Sequence, residues 1–191
     1  MLSKAVFLDK DGTLVEDIPY NVDPHDIRLT PGALEGLSLL QDSGYRLIVV
    51  TNQSGVARGY FEEQALEHVE KRLQELLFSA GIHLTGFYYC PHHPEGNVSQ
   101  YAVNCFCRKP HPGMIHKAVL EHRIDLTASW LVGDILNDIE AGNRAGCQTM
   151  LLDNGLETEW ERSPRREPKF IVKNLYEAAL TIHRESLLQR K

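Results

Sequence analysis

No apolar run in this chain approaches the roughly 18 residues that a membrane-spanning helix requires. The first residues also lack the apolar core and small-residue cleavage site of an export signal. Together these absences predict a cytoplasmic protein without a membrane partner. A basic excess is missing too: the formal net charge is -6, so electrostatics give no reason to expect nucleic acid as a partner. There is no internal repeat. Cysteine is scarce, at four residues in 191. In a reducing compartment, three clustered cysteines beside a histidine point to a metal rather than to disulfides.

What is present describes an ordinary soluble domain, 42% apolar and 24% charged, large enough for a substantial core. Apolar runs alternate with amphipathic stretches. Strands are predicted at Ala5–Asp9, Arg46–Val50, Gly86–Cys90, Trp130–Gly133, Thr149–Leu152 and Phe170–Val172. Helices are predicted at Ala33–Asp42, Glu62–Ala80, Pro112–Arg123, Asn137–Ala145 and Asn174–Gln189. Strands separated by helices imply right-handed βαβ units and a mostly parallel, doubly wound sheet of the α/β class. The whole of 1–191 reads as a single domain, with a polar surface connection at Gly155–Lys169.

Residues 5–13, Ala-Val-Phe-Leu-Asp-Lys-Asp-Gly-Thr, deliver two carboxylates onto a glycine turn. Open α/β sheets place their ligand sites at such strand ends. Period-two alternation puts Asp9 and Asp11 on one side and turns Lys10 away. Gly12 permits a sharp turn, and the Thr13 hydroxyl is available to hold it. The same residues also fit a hairpin with Asp11-Gly12 at its tip.

Three later segments bear on that choice. The run Leu47–Val50 delivers Thr51-Asn52-Gln53-Ser54-Gly55, polar donors at a strand's end, which is either a plain turn or a phosphoryl cradle. Arg108-Lys109-Pro110 is either a solvated pair or a source of positive charge for a carboxylate-rich centre. Asp134 directly follows the Trp130–Gly133 run, and Asp138 either shares its face or serves as a helix-start carboxylate.

Asp-x-Asp-Gly-Thr, the strand-end Thr51, Lys109-Pro110 and Gly133-Asp134-x-x-x-Asp138, in that order, resemble the haloacid-dehalogenase-like phosphohydrolases from Ala5 to about Leu152. The resemblance implies that Asp9 is the nucleophile and Asp11 the general acid and base. It implies that Thr51 and Lys109 steady the phosphoryl group, and that Mg²⁺ is held by Asp9, Asp134 and the backbone carbonyl of Asp11. Both spans, Thr13 to Thr51 and Thr51 to Lys109, are too short for an inserted cap domain, so a capless, open site is expected.

Cys90, His92, Cys105 and Cys107 make a complete tetrahedral donor set suited to structural Zn²⁺. They bound a loop at 90–107. His93 competes with His92 as the fourth ligand, and the family spacing favours His92. Cys147 stands apart and reads as a small buried hydrophobe.

The closer resemblance is to the heptose-bisphosphatase branch of the family, carried by Thr51–Gly59, Tyr88–Pro94 and Cys107–Met114. It implies a small sugar bisphosphate as substrate, bound by Asp17, Tyr20, Asn52, Gln53, Ser54, Arg108 and Lys109, with Arg108 on the second phosphate. The implied setting is heptose activation for bacterial surface polysaccharide, carried out by a monomer. Ile18-Pro19 departs from the branch's more polar or glycine-containing stretch. The competing assignments are a histidinol-phosphatase and a non-catalytic, zinc-stabilised binding module.

Overall fold

The computed structural model describes residues 2–158 and 160–188. Six strands form one sheet: β1 (Ala5–Leu8), β2 (Arg46–Asn52), β3 (Leu84–Cys90), β4 (Trp130–Gly133), β5 (Gln148–Leu152) and β6 (Phe170–Val172). Their spatial order is β3-β2-β1-β4-β5-β6, and every neighbouring pair is parallel. The chain walks outward from β1 to β3, then returns to lay β4 on the other side of β1. The direction of travel therefore reverses between β1 and β4, the point at which open α/β sheets part their loops and admit a ligand.

Alternation along the strands builds two cores. Val6, Leu8, Leu47 and Val49 face one layer, with Val69, Leu73 and Leu77 from helix α3 (Ala65–Phe78) and residues of α1 (Ala33–Asp42) and α6 (Leu175–Leu188). Phe7, Ile48 and Val50 face the other, against Met114, Ile115 and Ala118 of α4 (Gly113–His122) and Ala141 of α5 (Leu136–Ala145). Helices thus cover both faces, which is why the central strands read as continuous apolar runs. On the first face Gly36 lets α1 approach α6 closely; a Cβ there would lie 2.7 Å from the Leu175 carbonyl oxygen.

The hairpin alternative for residues 5–13 is overturned, because β1 pairs with β2 and β4 and not with the residues after Gly12. Asp11-Gly12 still turns the chain, with Gly12 at φ +78° and its N–H bonded to the Val15 carbonyl at 2.9 Å. Two further expectations shift. The second strand runs on through Thr51 and Asn52, continuing its ladder with Tyr89 and Cys90 of β3. A short helix, α2 (Gly55–Arg58), follows it where no element was predicted. The expected end of the last helix at Gln189 lies outside the described residues.

Candidate active site and metal cluster

The carboxyl ends of β1 and β4 bring Asp9 and Asp134 together at the switch point. Asp9 remains tied to the sheet by its N–H on the Val132 carbonyl, 3.0 Å away. The Thr13 hydroxyl donates to Asp134 Oδ1 at 2.9 Å, so it joins two strand ends rather than closing its own turn. Gly12 packs so tightly on Asp134 that a Cβ would lie 2.4 Å from Oδ2. Lys109 enters from the loop before α4 with its side chain only 3% exposed. Its ammonium donates to Asp9 Oδ1 at 2.5 Å and to the Val50 carbonyl at 2.9 Å. It also pairs with Asp138 Oδ1 at 2.5 Å.

Asp138 fills both roles left open for it. Its Oδ2 accepts the Ile135 N–H at the start of α5, 3.3 Å away, while Oδ1 anchors Lys109. Asp9, Asp134 and Asp138 offer oxygens that all lie within 4.8 Å of one another, and all three residues are buried. One ammonium therefore faces three carboxylates. The imbalance shows in their protonation: burial first, then Asp9 and Asp138, push Asp134 up to about 8. Burial also lifts Asp138 to about 6, against the pull of Lys109. Burial favours a neutral Lys109, but Asp138 and Asp9 outweigh it and hold the ammonium above its ordinary value. A cluster of hard oxygen donors, short of positive charge, has the chemistry of a divalent-cation site.

The Asp11 side chain stays out of that cluster. Its Oδ1 accepts Lys10 Nζ and its Oδ2 accepts Gln53 Nε2 at 3.0 Å. Lys10 thus does not turn away, as alternation predicts. The ladder ends at Leu8, and beyond it the chain is free to curl the buried Lys10 back onto its neighbour. Burial raises the Asp11 carboxyl above its usual range, Lys10 opposes this, and Asp9 adds to it.

Asp17, Tyr20, Asn52, Gln53 and Ser54 line one cleft of about 250 Å³ together with Asp11. Asn52 is largely a brace: its Oδ1 accepts the Lys109 N–H at 2.9 Å and its Nδ2 donates to the Lys109 carbonyl at 3.1 Å. Gln53 reaches the Thr51 hydroxyl at 2.9 Å as well as Asp11. Thr51 itself is 1% exposed. Arg108 is not among the residues lining this cleft; it donates to the His92 carbonyl at 3.3 Å.

Cys90, His92, Cys105 and Cys107 converge as a second cluster, their ligand atoms within 4.8 Å of one another. Sulfur separations of 3.0 to 3.4 Å are far too long for disulfides. They lie nearer the roughly 3.7 Å edge of a tetrahedron drawn with zinc–sulfur bonds. His92 Nδ1 lies 3.3 Å from Cys107 Sγ. His93 points elsewhere, with Nδ1 accepting the Glu95 N–H and Nε2 3.5 Å from Arg58. Hydrogen bonds from Cys90, Cys105 and His92 pull the Cys107 thiol down to about 5 against the cost of burial. Cys147 is buried and free, and burial pushes its thiol up to about 12.

The cluster's loop docks on α2. The Val98 N–H bonds the Ala57 carbonyl at 2.9 Å, and Asn97 bonds the Arg58 carbonyl at 3.3 Å. Arg58 lies within the Thr51–Gly59 segment that carried the resemblance, yet that segment had suggested no role for it. Its Nε is buried without a hydrogen-bond partner among the described residues.

The model of the HAD-hydrolase-like family matches residues 106–178. The chain is 45% identical over 153 residues to the D-glycero-beta-D-manno-heptose-1,7-bisphosphate 7-phosphatase of Haemophilus ducreyi, covering 80% of this chain and 84% of that protein. The chain belongs to the heptose-bisphosphate phosphatase family of haloacid-dehalogenase-like hydrolases. It is 36% identical over 173 residues to the D-glycero-alpha-D-manno-heptose-1,7-bisphosphate 7-phosphatase of Photorhabdus laumondii, covering 91% and 93% of the two chains. The solved D,D-heptose 1,7-bisphosphate phosphatase of B. bronchiseptica, complexed with magnesium and phosphate, superposes with a TM-score of 0.73 at 29% identity, over 98% of this chain and 99% of that one. As a member of this family the protein is a phosphatase. No described helix is long and apolar enough to cross a membrane.

Proposed function

We propose that the protein hydrolyses the 7-phosphate of D-glycero-D-manno-heptose 1,7-bisphosphate. The observation that carries this reading is the buried cluster of Asp9, Asp134 and Asp138 around Lys109 in a chain 45% identical to an enzyme named for that reaction. Asp9 presents a carboxylate oxygen to phosphorus. As the new oxygen–phosphorus bond forms, the bond to the C7 oxygen breaks, and Asp11 gives its proton to the departing alkoxide. Asp11 then takes a proton from water, which attacks the aspartyl-phosphate, releases inorganic phosphate and restores Asp9.

Lys109 and Thr51 hold the phosphoryl oxygens as charge shifts onto them. Asp9, Asp134 and the Asp11 carbonyl are the groups that would hold Mg²⁺. Asp138 stands further from that role, because its Oδ1 is ion-paired with Lys109 and its Oδ2 accepts the Ile135 N–H at the start of α5. When bound, Mg²⁺ supplies the positive charge that the carboxylate cluster lacks and lowers the repulsion between anionic nucleophile and anionic substrate. The double task of Asp11 requires a side chain free of the metal, and its bonds to Lys10 and Gln53 meet that requirement.

Zn²⁺ is the ion best matched to three sulfurs and one imidazole, as a closed structural site. In this reading it fixes the loop 90–107, and with it α2 and the Arg108-Lys109 pair that follows. The second phosphate falls to Arg108, on the metal-loop side of the site. The protein acts as a cytoplasmic monomer, a single capless domain over 1–191, in bacterial surface-polysaccharide synthesis.

The deciding experiment measures inorganic phosphate released from each anomer of the heptose bisphosphate and from histidinol phosphate, side by side, with Mg²⁺ present. Preference for a heptose bisphosphate, abolished in a folded Asp9→Asn variant, is the expected result. Near-normal turnover by that variant would refute the nucleophile, and preference for histidinol phosphate would refute the substrate.

A further inference from the structure

Tyr20, in the connection after β1, lines the cleft, and Tyr60, in the connection after α2, packs on Tyr20 from outside that lining. Their ring centroids are 4.6 Å apart at an interplanar angle of 78°, an edge-to-face pair. Both remain open to solvent, at 48% and 59% exposure. Two paired aromatic rings left open beside a polar cleft present an apolar surface on which a ligand in that cleft can pack.

Their placement is fixed from both sides. Tyr20 takes a left-handed backbone, φ 56°, rare for a residue with a bulky side chain. Tyr60 follows Gly59, also left-handed at φ 76°. The Tyr60 N–H bonds the Gly55 carbonyl at 2.9 Å. The next residue, Phe61, presses on Gly55 so closely that a Cβ there would lie 2.2 Å from the ring. Gly55 itself lines the cleft beside Ser54. Tyr60 is therefore held by a short helix that begins at the cleft, and its ring meets the cleft-lining Tyr20.

We propose that Tyr60 is a specificity-determining residue: with Tyr20 it forms an aromatic wall against which the carbon face of a long phosphorylated sugar packs. The inference rests on the sugar-phosphatase reading above. A sugar presents C–H groups on one face and hydroxyls on the other. An edge-to-face tyrosine pair offers both an apolar surface and phenol hydroxyls at its rim. A short phosphate ester, gripped only at the phosphoryl end, does not extend far enough to gain from the wall.

The experiment compares kcat and KM of the wild type, Tyr60→Ala and Tyr60→Phe on a sugar bisphosphate of six or seven carbons and on phenyl phosphate. The ratio of the two kcat/KM values is expected to fall about 5- to 20-fold in Tyr60→Ala, the loss lying in KM for the sugar, and to recover in Tyr60→Phe. Tyr20→Ala with Tyr60→Ala is expected to lose little more than either alone, because each ring is the other's support. An unchanged ratio, a loss confined to kcat, or fully additive losses would overturn the proposal. Running hexose and heptose bisphosphates in parallel separates the two readings. Should the wild type prefer a hexose bisphosphate, the heptose assignment falls while the Tyr60 effect is still measured.

Discussion

Lys109 Nζ lies 2.5 Å from Asp9 Oδ1, across one hundred residues of chain. Asp9 sits at a strand end and Lys109 in a loop, so the contact exists only because β1 occupies the sheet's centre and the loop before α4 folds over it. Removing the ammonium leaves the fully buried Asp138 without its counter-charge. Lys109→Met should therefore lower kcat about 10²- to 10³-fold and cost about 3 kcal/mol of stability. Asp138→Asn keeps an acceptor for Lys109 and should lose less on both counts. Steady-state phosphate release and thermal melts of the two variants check the order.

The sulfur-rich cluster and the catalytic end share one loop, which argues for a coupled loss when the ligands are altered. Zn²⁺ bound there would contribute folding energy directly. His92→Ala should drop the metal content, measured by elemental analysis, and lower Tm by roughly 5–10 °C. Activity should fall with it and not return on adding Mg²⁺, because α2 and Lys109 lose their anchor. His93→Ala, altering a ring that faces Glu95 and Arg58, should keep the metal. A zinc-free wild type with full activity and unchanged Tm would remove the structural role.

Most of this arrangement can be read from the residues because its parts lie at element ends. Six apolar runs separated by amphipathic stretches are enough to predict a parallel sheet, and strand ends are where Asp9, Thr51 and Asp134 occur. The strand order could not be read, since adjacency in a parallel sheet depends on which side each crossover takes. Helix α2 escaped notice because four residues, Gly55–Arg58, are too few to show a period. Lys10 departs from strand alternation because it lies two residues beyond the ladder's end at Leu8. Tyr60 gave no signal, since a lone exposed tyrosine becomes informative only once Tyr20 stands opposite it.

Gly12 offers a test that separates the turn from the chemistry. Its left-handed φ of +78° costs a side chain about 1–2 kcal/mol, and a Cβ would come within 2.4 Å of Asp134 Oδ2 and 2.5 Å of Leu156 Cδ1. Leu156 is the free end of a flexible side chain and can yield. Asp134 can yield only by straining its bond from Thr13. Gly12→Ala should thus fall a few degrees in Tm but lose at least tenfold in kcat, with a higher Mg²⁺ concentration needed for half-maximal rate. A variant that loses stability alone, at normal Mg²⁺ dependence, would show that Asp134 does not need this packing.

Glu140 supplies a pH dependence whose sign follows from its partners. It is buried, which alone would raise its carboxyl, but hydrogen bonds from Arg166 and Arg144 outweigh that and hold it below its ordinary value of 4.5. Arg166 also reaches Asn137 at 3.0 Å, so the ion pairs fasten the connection after β5 onto α5, the helix that carries Asp138. A depressed folded value means that the stabilisation is complete above the unfolded value and is lost as the pH falls through the folded one. Glu140→Gln should lower Tm at neutral pH by a few degrees, for about 1–2 kcal/mol. The gap between wild type and variant should hold steady from about pH 6 to 8 and close below about pH 4.5. The transitions of Asp134 and Asp138, raised to about 8 and about 6, occur in both proteins and cancel in the difference. A gap that persists unchanged at low pH would mean that the Glu140 side chain acts through packing and not through its charge.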